Sequence, residues 1–120
     1  MSDSRSYETI VVALGGSICV GRSIQVRFLK NFRTFILPFL KEGKKIILVI
    51  GGGKIARDYQ SAASKIVDIS DEDKDWIGIH ATRINAHLLR AIFFDVAHPV
   101  ILDNPFKKIK NEEKYNLFIA

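Results

Sequence analysis

Two apolar runs, each ending in a cluster of glycines, constrain the fold of this chain more than any other feature. The first is Thr9–Leu14, T-I-V-V-A-L, followed at once by Gly15-Gly16-Ser17. The second is Lys45–Ile50, K-I-I-L-V-I, followed by Gly51-Gly52-Gly53-Lys54-Ile55-Ala56-Arg57. Both are rich in β-branched residues and alternate little between apolar and polar, the pattern of strands buried on both faces. Between them Ile24, Phe28, Phe32, Phe35, Ile36, Phe39 and Leu40 recur at helical spacing, so a helix with its phenylalanines in the core is expected. Strand, helix and strand joined by so long a connection imply a parallel pair with a right-handed crossover. Both glycine turns then lie at the carboxyl end of one sheet, where open α/β sheets bind their ligands.

The second turn carries the more specific chemistry. Glycines remove the side chains that keep a ligand from the backbone and permit positive φ. The stretch from Ile55 to Lys65 reads as a helix, so the N–H groups of the turn open toward a helix N-terminus, which favours an anion. Lys54 and Arg57 add positive charge there, and a guanidinium can grip a phosphate with two hydrogen bonds. A glycine-rich turn of this kind also occurs for packing alone, and the stretch is neither G-x-G-x-x-G nor a Walker A motif. The earlier turn, with Gly16 for close approach and the Ser17 hydroxyl, tips the reading to a phosphate cradle built from both.

The rest of the chain is read around this pair. Ile18–Arg22 suggests a short extended piece or a hairpin arm, and Ser23 is a candidate N-cap for the first long helix. Pro38 is expected to kink or shorten that helix, and Gly43 to stop it. Ser70 with Asp73 resembles a capping box and predicts a long helix to about Phe93, with Ile77, Ala81, Ile84, Leu88, Ala91 and Ile92 as its apolar stripe. Asp71, Glu72, Asp73 and Asp75 crowd the start of that helix, where its dipole favours them; one could instead turn inward to a sugar or a base. His80 and His87 stand seven apart, too far to share a metal from one helix, and His98 falls in a loop; solvated or interface positions are expected, and no metal site. Val100–Leu102 reads as a third short strand, Pro105 as a helix start, and Leu117–Ala120 as the opening of a fourth strand. A sheet of this kind seldom stops on a strand, so the sequence reads as the first part of a longer design.

At 120 residues the chain fits one domain, and its single cysteine, Cys19, excludes an internal disulfide and suits a reducing compartment. The net charge of +5 suits a polyanionic small molecule as well as nucleic acid. Basic residues are scattered as far as Lys107–Lys114, without aromatic interleaving, which argues against nucleic acid. No apolar run approaches a membrane span and residues 1–8 lack a signal peptide's apolar segment, so a cytoplasmic location is expected.

A strand ending in Gly-Gly-Ser, a second ending in G-G-G-K-x-A-R, and the later K-D-W-I-G-I-H-A-T-R-I-N-A (Lys74–Ala86) together resemble the amino-acid-kinase superfamily, and within it the archaeal-type uridylate (UMP) kinases. The resemblance runs from Thr9 to Ala120 and covers the N-terminal, acceptor-side half of the family domain. It implies an α/β three-layer αβα sandwich with a mainly parallel sheet, incomplete at its C-terminus. It implies transfer of the γ-phosphoryl group of ATP, with Mg²⁺, to UMP. The residues it carries over are Gly15, Gly16, Ser17, Gly53 and Arg57 toward the ATP phosphates, with Arg57 catalytic between donor and acceptor. Gly51, Gly52 and Asp75 fall toward UMP. It also implies a homo-oligomer with the long helix in a subunit interface.

Ala13 stands where many relatives have lysine, and the later acceptor-phosphate loop and adenine-binding half lie beyond Ala120. The 120 residues are therefore expected to be insufficient alone. The other readings are a related kinase for isopentenyl phosphate or an acyl group, and a non-catalytic remnant that binds a nucleotide or a partner protein.

Overall fold

The computed structural model describes residues 9–21, 23–103 and 110–120. In chain order the elements are β1 (Thr9–Leu14), α1 (Gly16–Cys19), α2 (Val26–Lys41), β2 (Lys45–Ile50), α3 (Gly53–Ile66), α4 (Asp71–Ile92), a 3₁₀ turn (Glu112–Lys114) and β3 (Leu117–Ile119). The strands form one parallel sheet in the order β1-β2-β3. Thr9 pairs with Lys45 and Leu14 with Ile50, so β1 and β2 end level and release their glycine turns side by side.

The register sorts the sheet into two faces. Ile10, Val12 and Leu14 share one with Ile46, Leu48, Ile50, Leu117 and Ile119. Leu29 and Ile36 of α2 and Ala86 and Leu89 of α4 pack into the same core, closed at its end by Phe93. Leu48, Leu89, Leu117 and Ile119 are wholly buried, and burial of each such side chain stabilises the fold by about 1.5–3 kcal/mol. Two successive right-handed crossovers that step in one direction put their helices on the same side. On the opposite face Thr9, Val11, Ala13 and Val49 are exposed. The described residues thus build the sheet and one helical layer of an α/β architecture.

Several expectations are corrected. β1 is half-buried and not covered on both faces, because the sheet face that carries Val11 has no helical layer among the described residues; Val11 is 62% exposed. Among the described strands β1 also lies at the edge. Ile18 and Cys19 belong to the short helix α1 and not to an extended piece, while Val20 beyond it pairs antiparallel with Ile24, as a hairpin arm would; Arg22 lies outside the described residues. Ser23 caps nothing: its carbonyl accepts from Gly21 N–H and from the Gln25 side chain, and α2 starts at Val26 after Gln25. Phe28, Phe32 and Phe39 pack on the core, but Phe35 is 61% exposed and meets only Phe39 edge to face. Pro38 sits inside the last turn of α2 without ending it. The helix after the second turn starts earlier than expected, at Gly53.

Of the stripe expected for α4, Ala81 is buried and Leu88 and Ile92 pack against the core, but Ile84 is exposed. Asn85, Ala86 and Leu89 are buried in addition. The true line runs Ala81, Asn85, Leu89, Phe93, at intervals of four, and its polar member hides it from a search for apolar residues alone.

Val100–Leu102 is not a strand. That segment follows a single bridge, Ala97 to Leu117, and sends Leu102 N–H to Ile119 C=O. It thereby covers part of the outer edge of β3, which is paired and buried and is not the bare apolar edge that an uncovered final strand would present. His98 is 1% exposed, contrary to a solvated position. It stacks on Phe118, meets Tyr115 edge to face, accepts Val100 N–H at Nδ1 and presents Nε2 to Lys110 C=O at 2.7 Å. An acceptor at Nδ1 requires the proton on Nε2, so the ring is the neutral tautomer that donates to Lys110 C=O. The helix start expected at Pro105 lies outside the described residues.

Candidate functional site

The two glycine turns meet backbone to backbone. A Cβ on Gly16 would lie 2.6 Å from Gly51 C=O and 2.7 Å from the Gly53 nitrogen; one on Gly53 would lie 2.6 Å from the Gly16 carbonyl carbon and the Ser17 nitrogen. Gly53 also holds a φ of 60°, in the left-handed region. Only glycine satisfies both demands at that position. The contact follows from the level ends of β1 and β2: strands about 4.8 Å apart that turn together leave no room for side chains between their turns.

A side-chain bond ties the turns across the same gap. Arg57, one turn into α3, donates from Nη2 to Ser17 Oγ over 3.0 Å. Both residues are exposed. Lys54, by contrast, turns away to its own helix and pairs with Asp58 at 2.8 Å, so its charge is largely met within α3. The positive group at the junction of the turns is Arg57.

Behind the second turn lies α4. A Cβ on Gly52 would stand 2.8 Å from Ala56 Cβ and 3.2 Å from Ala81 Cβ. Asn85, 2% exposed, donates its side-chain N–H groups to Gly51 C=O at 2.9 Å and Gly52 C=O at 3.4 Å. On the far side of Gly52 a cavity of about 920 Å³ opens between α3, α4 and the segment at Ile101–Asp103. Asp75, Gly78, Thr82, Arg83 and His87 line it, with Gly52 at its inner end. Gln60 donates to Lys74 C=O over 2.8 Å and so fixes the backbone beside Asp75. The cap of α4 is as the sequence suggests: Ser70 Oγ accepts Asp73 N–H at 3.1 Å. Asp73 returns the contact to the Ser70 hydroxyl, where a full capping box would reach the backbone N–H.

Comparison with known proteins decides the family. The model of the amino acid kinase family matches residues 8–116. The chain belongs to the amino acid kinase family. It is 37% identical over 99 residues to the uridylate kinase of Thermococcus kodakarensis, spanning 82% of this chain and 43% of that relative. It is 39% identical over 100 residues to that of Methanoregula boonei, spanning 81% and 40%. The crystal structure of uridylate kinase from Archaeoglobus fulgidus superposes with a TM-score of 0.75 at 28% identity, over 92% of this chain and 49% of that one. The chain thus spans less than half the length of these relatives.

Within this amino acid kinase chain, Gly15, Gly16, Ser17, Gly51, Gly52, Gly53 and Arg57 gather at one sheet end. Asp75 and Gly52 line the cavity, and Arg57 is not among its lining residues. Among the described residues, no three or more of His, Cys, Asp and Glu come together as a metal site. No described helix is long and apolar enough to cross a membrane. The sequence reading missed Asn85, although it falls within the Thr-Arg-Ile-Asn-Ala stretch. Its signal was an amide at intervals of four from Ala81 and Leu89, a polar residue on what had to be a buried line.

Proposed function

We propose that these residues form the acceptor-side half of a uridylate kinase domain, a phosphotransferase that moves the γ-phosphoryl group of ATP to UMP. The observation that carries this reading is the Arg57–Ser17 bond, 40 residues apart in sequence, at the junction of two glycine turns. It brings one guanidinium to the backbone cradle formed by the two turns. The names of the relatives, all uridylate kinases, support the same acceptor.

In this reading Gly15, Gly16, Ser17 and Gly53 receive the phosphates of ATP on their backbone N–H groups and the Ser17 hydroxyl. Gly51 and Gly52 face the UMP phosphate, and Asp75 accepts hydroxyl groups of the nucleoside in the cavity. Arg57 leaves Ser17 to bridge donor and acceptor phosphates, where its charge offsets that of the moving phosphoryl group. Magnesium would supply further charge neutralisation at these phosphates. Positioning contributes much of the rate in this chemistry, so residues 1–120 alone are expected to bind nucleotides weakly and to turn over little. A homo-oligomer fits the exposed Tyr59, Trp76, Ile79 and Ile84 on α3 and α4.

Calorimetric titration of the purified chain with UMP, Mg-ATP and isopentenyl phosphate tests the reading. Binding of UMP in preference to isopentenyl phosphate is the expected result. Preference for isopentenyl phosphate, or indifference to all three, would overturn it.

A further inference from the structure

We propose that Asn85 is a positioning residue that aims the backbone N–H groups of Gly52 and Gly53 at the phosphate site. The inference rests on the nucleotide reading above and adds to it a residue that touches no ligand. Asn85 is buried on α4 and donates to the carbonyls of Gly51 and Gly52. Only the amide nitrogen can donate to two carbonyl oxygens, which fixes the end of the side chain that faces the loop. In a trans peptide the C=O and the following N–H point to opposite sides of the chain. Holding Gly51 C=O toward α4 therefore turns Gly52 N–H away from α4, and holding Gly52 C=O does the same for Gly53 N–H. Neither N–H donates to a backbone carbonyl among the described residues outside the regular ladders.

Glycine makes such a tether necessary. A Gly-Gly-Gly stretch has little intrinsic preference for one peptide orientation, and Gly53 in addition holds φ 60°. Gly52 C=O has two long contacts of 3.4 Å, from Ala56 N–H and from the Asn85 amide. The firmer hold is on Gly51 C=O, which accepts from the Asn85 amide at 2.9 Å. The side chain thus does for the loop what ladder bonds do for a strand, and it does so from the side opposite the ligand.

The test uses ¹⁵N relaxation and UMP titration on the full 120-residue chain and three variants. Asn85→Ala removes the donors. Asn85→Asp keeps the shape but sets a carboxylate against two carbonyls, and serves if the alanine variant does not fold. Ser70→Ala removes the cap of the same helix and lowers its stability without touching the loop. In the wild-type chain Gly52 and Gly53 should show order parameters near ~0.85, and in both Asn85 variants these should fall toward ~0.6. Ser70→Ala should leave them unchanged, and acidification of the Asn85→Asp variant should shift both amide resonances back toward the wild-type positions as the carboxyl regains an O–H donor. UMP affinity should drop about tenfold in Asn85→Ala, the loss expected for about 1.4 kcal/mol of positioning.

Unchanged order at Gly52 and Gly53 in both Asn85 variants would overturn the proposal. So would equal loosening by Ser70→Ala, or full UMP affinity with a loosened loop. Absence of any UMP-induced shift in the wild-type chain would overturn the nucleotide reading, and it is recognisable apart from the order parameters, which need no ligand.

Discussion

Gly16 and Gly53 touch through their main chains, each occupying the space where a Cβ of the other would stand. The contact joins the ends of β1 and β2, so it serves the fold and the site at once. Gly53→Ala should be among the most destabilising single-methyl additions in the chain. It combines a backbone clash at 2.6 Å with a φ of 60°, and strain and overpacking of this kind cost roughly 1–3 kcal/mol each. Gly51→Ala is the comparison, since a Cβ there meets nothing within 4 Å. Urea unfolding of the two variants checks this; equal midpoints would contradict it.

Arg57 and Ser17 make a second link, one that a ligand must rearrange. Arg57→Ala should leave the fold nearly unchanged, because both partners are exposed and an exposed neutral–charged contact adds little. In any polypeptide that carries these residues and forms UDP, the same change should lower turnover by on the order of 10²–10³-fold through lost charge stabilisation. Steady-state kinetics with a circular dichroism control would measure both. Turnover that survives in the folded variant would remove Arg57 from the chemistry.

Asp75 and Glu72 share one helix start but not one surroundings. Asp75 lines the cavity, whereas Glu72 is an exposed residue of the first turn. Asp75→Ala should weaken UMP binding and spare Mg-ATP. Glu72→Ala should change only helix stability, by about 0.3–1 kcal/mol through the macrodipole. Calorimetry on both variants decides; equal losses for UMP would place the nucleoside elsewhere.

Far from the site, Arg33 clamps α2 to the turn after α4. It meets both oxygens of Asp95, at 2.9 and 2.7 Å, donates to Ile92 C=O and lies over the Phe93 ring. The hydrogen bond from Arg33 holds the Asp95 carboxyl below its usual range. A depressed folded-state value means that the unfolded chain takes up the proton first as pH falls. The clamp should therefore add its full stability above the ordinary aspartate value of about 3.9 and lose it as pH drops through the lower folded value. Asp95→Asn should melt below wild type at pH 7, with the gap closing under acid. A gap independent of pH would show that packing, and not the carboxylate, holds this corner.

Much of this was legible because it is written locally. The glycine clusters marked strand ends, and the runs before them gave β1 and β2 to the residue; Ser70 announced α4. What escaped depended on partners distant in sequence. Nothing near Thr9–Leu14 says that β1 is an edge, since that follows from which strands pair with β2. Phe35 fits the helical stripe of α2 by spacing, yet the buried residues of that helix are Leu29 and Ile36, and Phe35 is exposed. On α4, Asn85 was missed because it is polar, and its reason for burial is a pair of carbonyls 33 and 34 residues earlier. Gly-Gly-Ser and Gly-Gly-Gly-Lys-Ile-Ala-Arg each carried a hint of the site, but the Arg57–Ser17 bond exists only once the strands are level.

β2, at the centre of the sheet, has consequences for how the molecule is made. Its partner β1 precedes it, with α1 and α2 between them, but β3 follows only after both α3 and α4. During synthesis Ile46 and Leu48 must wait with one edge unpaired until Leu117–Ile119 emerge. Contacts of such long sequence separation form late and slowly, and an open apolar edge is the surface on which nascent chains associate wrongly. Quality control in a cell would therefore act on the interval between α4 and β3, when the glycine turns already stand but the core beneath them is not yet shut.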